Sequence, residues 1–154
     1  MTDENETNFN EIAEALAKAA GLESLKQNEN GQILFALDET MGVSLVSENE
    51  EDVGCDLIVA SIIVGPAPDE PEALRELLEE NYLGAGSGDG AFSIEDESNA
   101  VVLYRCFPLP MDPADFVTAF AHLASAARAA KARLEGKLEL EQNDSDAKSF
   151  IVNP

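Results

Sequence analysis

The sequence predicts an α+β fold, ordered α-β-β-β-α-β-β-α, with a twisted antiparallel sheet packed by helices. Three observations predict it. Apolar residues recur at three- and four-residue spacing near both ends of the chain, as on one face of a helix. Short runs rich in Val, Ile, Leu and Phe lie between those ends, separated by turn signals. Proline and glycine mark the boundaries, and short turns join the strands of the two hairpins.

The elements follow in order. Residues 1–7 read as a flexible polar arm. Phe9, Ile12, Ala13, Leu16, Ala19 and Ala20 then mark a first amphipathic helix, stopped by Gly21. A connector ends in Asn30-Gly31, a turn pair. Gln32 to Leu37 is a first strand, and Asp38 to Gly42 a short hairpin loop. Val43 to Ser47 is a second strand, and the acidic run Glu48 to Asp52 a loop. Asp56 to Val64, dense in β-branched residues, is a third strand.

Pro66 and Pro68 end that strand. Asp69 reads as the cap of a second helix, with Pro71 in its first turn and Leu74, Leu77, Leu78 and Tyr82 on its apolar face. Gly84, Gly86, Gly88 and Gly90 then punctuate a loop expected to be flexible. Phe92 to Glu95 and Ala100 to Phe107 form a second hairpin. Asp112-Pro113-Ala114-Asp115 is a strong helix start, a capping acid followed by proline at the first helical position. Phe116, Phe120, Leu123, Ala127, Ala130 and Leu134 share one face of that last helix. One domain over residues 8–135 is expected, followed by a polar, mobile tail over 136–154 in which Phe150-Ile151-Val152 has docking potential.

Composition limits the function. The chain has 154 residues, 45% of them apolar, enough for a core in one domain. Its formal net charge is −22 and its isoelectric point about 4.1. Phosphates would repel such a surface, so neither nucleic acid nor an anionic membrane is an expected partner. The acidic start at Met1 to Glu6 is the opposite of a signal peptide, and no apolar run approaches the roughly 20 residues needed to cross a bilayer. A cytoplasmic protein is expected. Cys55 and Cys106 both lie in strand-like runs and read as buried free thiols.

Chemistry is sparse. His122, the sole histidine, lies in the last helix with no Ser or Cys partner pattern near it. One His and two distant Cys make no zinc site. The glycine-rich loop lacks the Gly-Lys-Ser/Thr ending of a phosphate loop, and the acidic clusters lack calcium-loop spacing. No enzyme, metal or cofactor is expected.

A partner is implied instead. Ile33 to Leu37, Ile62 to Val64 and Val101 to Leu103 do not alternate apolar with polar residues. Successive side chains point to opposite faces of a sheet, so both faces need covering. Two helices suffice for one face. Leaving large apolar side chains exposed costs about 1.5–3 kcal/mol each. A homodimer, an apolar client or both are the expected solution.

The order Leu77-Leu78-Glu79-Glu80-Asn81-Tyr82, glycine-rich Leu83 to Gly90, Ala91-Phe92-Ser93-Ile94, then Val101 to Pro110 resembles class I type III secretion chaperones of the Tir chaperone (CesT-like) family. The resemblance covers about residues 8–134. It implies a cytosolic homodimer that binds the N-terminal region of a secreted effector in extended form and keeps it export-competent, without nucleotide or metal. Carried over element by element, it places the dimer interface on Leu74, Leu77, Leu78, Tyr82, Val101 and Leu103. It places client contacts on Ile12, Leu16, Ile33, Phe35, Leu37, Val43 and Leu45. The competing reading from charge alone is an acidic decoy for a basic nucleic-acid-binding protein, whose binding would collapse in moderate salt. A third class, an enzyme, would need a pocket built from dispersed carboxylates.

Overall fold

The computed structural model describes residues 2–50 and 54–151, with side chains for 2–49 and 54–136. The order is α1 (Asp3–Ala20), β1 (Gln32–Leu37), β2 (Met41–Glu50), β3 (Cys55–Pro66), α2 (Pro71–Glu80), β4 (Ala91–Glu95), β5 (Ala100–Pro108) and α3 (Pro113–Ile151). The five strands form one antiparallel sheet in the order β1-β2-β3-β5-β4. The α+β architecture is therefore the one the sequence predicts. Residues 51–53, with the end of the acidic run, the side chains of Phe150 and Ile151, and Val152 lie outside the described residues.

Helix α1 begins at Asp3, so the expected polar arm is its first two turns. Thr2 caps it, its Oγ1 accepting from Asn5 N at 3.2 Å, and Asp3, Glu4 and Glu6 face the positive end of the dipole. The decisive contact is distant in sequence. Asp56 on β3 accepts from Asn5 Nδ2 at 2.6 Å, Asn49 Nδ2 at 2.7 Å and Thr2 N at 3.3 Å. The Asn5 bond, followed by the Asn49 bond, holds the Asp56 carboxyl below the usual carboxylate range.

Helix α2 starts with Pro71 at its first position, but Glu70, not Asp69, is the capping residue and makes no side-chain cap bond. Helix α3 is capped as expected: Asp112 Oδ1 accepts from Ala114 N at 2.9 Å and Asp115 N at 3.2 Å. It continues past Gly136, where the sequence suggests an end, to Ile151.

Helices α1 and α3 pack together on one face of the sheet. The core between them holds Phe9, Ile12, Leu16, Ile33, Val43, Leu45, Ile58, Ile62, Leu103, Phe107, Phe116 and Leu123. Phe107 and Phe116 meet edge-on, 4.8 Å between centroids. Arg128 grips Asp38 at the tip of the first hairpin, at 2.6 and 3.0 Å.

The glycine-rich loop is clamped onto α3, not loose. A Cβ on Gly88 would lie 2.8 Å from Leu123 Cα, and one on Gly90 would lie 2.4 Å from Tyr104 O. Buried Ser87 donates to Gly90 O at 2.7 Å. Here the glycines serve close approach of backbone to backbone rather than flexibility.

Candidate partner-binding surfaces

The sheet's second face has no helix over it. Its residues follow from the register. Leu34, Ser44, Ser61, Tyr104 and Ala91 form one row across all five strands. Gln32, Val46, Val59 and Cys106 form a second, and Ile63, Val102 and Ser93 belong to a third. Leu34 is 59% exposed and Ile63 50%. Among the described side chains, the carboxylates of this face lie toward the ends of the strands, at Glu48 and Glu95. On a chain of net charge −22, a sheet face free of charge across its middle is a candidate interaction surface. Cys106, expected to be buried, is exposed on this face because β5 places it opposite Val59.

A second surface lies at the β4 edge. Leu74, Leu77, Leu78, Phe92, Ser93 and Ile94 line an apolar groove of about 250 Å³ between α2 and β4. Leu78 is 67% exposed, Tyr82 74% and Leu83 83%. Leu83 holds a left-handed backbone, φ 53°, in the single 3₁₀ turn Tyr82–Gly84. Leu77 is mostly buried against the core and anchors α2, while half-buried Leu74 and exposed Leu78 line the groove beside it.

The two sheet edges differ. At β4, Phe92 N donates to Asn81 Oδ1 at 2.7 Å and Phe92 O accepts from Asn81 Nδ2 at 3.1 Å. At β1, Gln32 O accepts from Asn28 N at 2.7 Å and Gln32 N donates to Asn28 Oδ1 at 3.0 Å. Neither Leu34 nor Ala36 has a strand beyond it.

The structure divides the residues the resemblance singles out. Ile12, Leu16, Ile33, Val43 and Leu45 are sealed in the core under α1 and α3, and offer no surface to a client. Val101 and Leu103 are sealed likewise, because they lie on the helix-covered side of β5. Phe35 and Leu37 are half-buried at the β1 edge. Leu74 and Leu78 come together with Ile94 in the β4 groove, and Tyr82 is exposed in the turn after α2. Leu34, Ile63, Leu83, Ile94 and Tyr104 are exposed apolar residues that the sequence does not single out. For Leu34, Ile63 and Tyr104, strand alternation carries that signal once the covered face is known.

A broad groove of about 1020 Å³ between α1 and residues 22–27 has a mixed lining, with Glu6, Glu11, Glu14 and Lys18 beside Leu22 and Leu25. Among the described residues, no group of three or more His, Cys, Asp or Glu is placed to hold a metal ion, and no helix is long and apolar enough to cross a membrane.

Comparison with known proteins gives a family and a fold. Residues 11–131 match the model of the Tir chaperone protein (CesT) family. No curated protein matches. Among solved structures, that of the Yersinia pestis type III secretion chaperone SycH in complex with a stable fragment of YscM2 is similar at 20% identity. It covers 79% of this chain and 98% of its own, with a TM-score of 0.60. The structure of the HopA1-SchA chaperone-effector complex is similar at 15% identity, covering 85% and 98%, with a TM-score of 0.64. That of the ExoU-SpcU heterodimeric complex of the Pseudomonas aeruginosa type III secretion system is similar at 20% identity, covering 78% and 91%, with a TM-score of 0.52.

Proposed function

The chain belongs to the Tir chaperone protein (CesT) family, and from that premise we propose that it is a type III secretion chaperone that holds the N-terminal region of one secreted effector in extended form. The family match over residues 11–131 carries the reading. The exposed apolar surface supplies what such a binder needs, and the family match favours the chaperone over the acidic decoy.

Two finer features belong to the proposal. The chain works as a homodimer joined through the groove of Leu74, Leu78 and Ile94, with Tyr82 and Leu83 beside it. An isologous contact there would cover on both copies the apolar surface that costs most to leave in water. The effector contacts lie on the uncovered sheet face and at its margin, including Leu34, Phe35, Leu37, Ile63 and Tyr104. No reaction is involved, so the protein acts in the cytoplasm by binding alone, and the polar end of the chain after Gly136 lies outside the contact.

The test is recovery of bound protein from the native lysate at about 0.5 M salt, where exposed charge pairs are largely screened. One secreted-type protein retained through its N-terminal region is the expected result. Retention of only a basic nucleic-acid-binding protein, and only at low salt, would replace this reading with the acidic decoy. Light-scattering mass then checks the dimer.

A further inference from the structure

We infer that Leu83 is the anchor of the homodimer proposed above, and on that reading the Leu83 side chain of each copy enters the α2–β4 groove of the other.

Leu83 stands where both backbone and solvent favour a different residue. It follows α2 in a left-handed conformation, φ 53° and ψ 22°, and Gly84 after it has φ 71°. Helices commonly end on such a residue, usually glycine and sometimes asparagine, because a Cβ is crowded there. A leucine in that position is strained. At 83% exposure, its side chain gains little burial in its own fold to offset the strain. Strain kept at an exposed apolar residue points to a contact with another molecule.

The turn that carries Leu83 is fixed. The Asn81 carboxamide accepts from Phe92 N at 2.7 Å and donates to Phe92 O at 3.1 Å. Asn81 O accepts from Gly84 N at 3.1 Å, and Glu80 O accepts from Gly86 N at 3.0 Å. Glu80 also pairs with Arg133 on α3. Binding therefore need not order this turn, which lowers the entropic cost of association.

The lining and the layout of the patch select a second copy. Two chains of net charge −22 repel, so a contact between them favours surface without carboxylates. None of the residues lining the groove is ionisable. The projecting residue and the groove belong to one patch, because Phe92 is both a wall of the groove and the attachment point of Asn81. A two-fold axis between them seats each Leu83 in the opposite groove, the reciprocal contact of an isologous pair.

Sedimentation of the full chain over a range of concentrations gives the dimer affinity. The thermal midpoint at a dilution where the chain is monomeric gives the stability of one copy. Leu83→Asn installs a residue that tolerates the left-handed backbone and removes the apolar side chain. It should weaken the dimer about tenfold or more, while the dilute midpoint stays level or rises. A residue serving only its own fold would show the reverse. In a mixture of isotope-labelled and unlabelled parent chain, the Leu83 methyl groups should give cross-peaks to Leu78 and Ile94 of the other copy. Unchanged dimer affinity in Leu83→Asn, a lowered dilute midpoint, or no such cross-peaks would overturn the inference and leave the homodimer standing. A Leu83→Asn chain that keeps its dimer but loses its effector would also overturn it, by making the effector the occupant. A parent chain that stays monomeric at every concentration would overturn the homodimer reading itself, and this inference with it.

Discussion

Both faces of one sheet carry large apolar residues, but helices cover only one of them. Toward α1 and α3, Ile33, Val43, Leu45, Ile58, Ile62 and Leu103 are sealed against Phe9, Phe107 and Phe116. On the other face Leu34, Ile63 and Tyr104 meet solvent, with Ser44 and Ser61 between them in one register row. An apolar strand residue is therefore not by that alone a core residue. What distinguishes the two faces is side-chain size and neighbours: large residues meet other large residues on the covered face, and small residues alternate with isolated large ones on the open face. The first arrangement maximises close contacts. The second leaves room for another molecule.

Substitutions on the two faces should separate these duties. Phe116→Ala, in the covered core, is expected to cost about 3–5 kcal/mol, read as a lower denaturant midpoint at unchanged m-value. A cost under about 1 kcal/mol would mean that the core is looser than its packing indicates. Gly88→Ala tests the loop that ties the β4 hairpin to α3. A left-handed conformation alone costs a non-glycine residue roughly 1–3 kcal/mol, and the clash with Leu123 adds to it. Native-like stability in that variant would show that the loop has slack.

Asp56 is a carboxylate on the covered side of β3, and pH tests it. Its folded pKa is depressed below the ordinary value of about 3.9 by the bonds from Asn5 and Asn49. A depressed acid stabilises the fold above its unfolded pKa, and loses that contribution as pH falls through the folded pKa. Thermal midpoints of the parent chain and Asp56→Asn should therefore differ at pH 6 and converge below about pH 4. A constant gap would contradict the assignment. The smallest stability effects belong to the exposed groups. Leu78→Ser and Ile63→Thr should move the folding free energy by no more than about 0.5 kcal/mol. Leu78→Ser should nonetheless shift the light-scattering mass toward the monomer, and Ile63→Thr should weaken the effector at unchanged mass. Loss of folding in either would place those side chains in the core.

Much of this was legible in the chain itself. Turn chemistry and strand composition place β1 at Gln32–Leu37, and the Asp112-Pro113 start predicts the α3 cap. The start of α1 was not legible, because Asn5 and Thr2 find their partner in Asp56, which lies far along the sequence. The glycine-rich stretch looked flexible because sequence reports what glycine permits, whereas the approach of α3 decides what it is used for. The contact residues named from the resemblance mixed core with surface, since Ile33 and Leu34 are adjacent in sequence and differ only in which side the helices cover.

The sequence by itself determined the order of elements, the antiparallel hairpins and the charge. These follow from local periodicity, turn residues and composition, which act over a few positions. Tertiary structure alone decided which sheet face is open, which side chains line the α2–β4 groove and which edge Asn81 occupies. Those depend on the side to which α1 and α3 fold and on bonds between residues distant along the chain, and no local pattern encodes either.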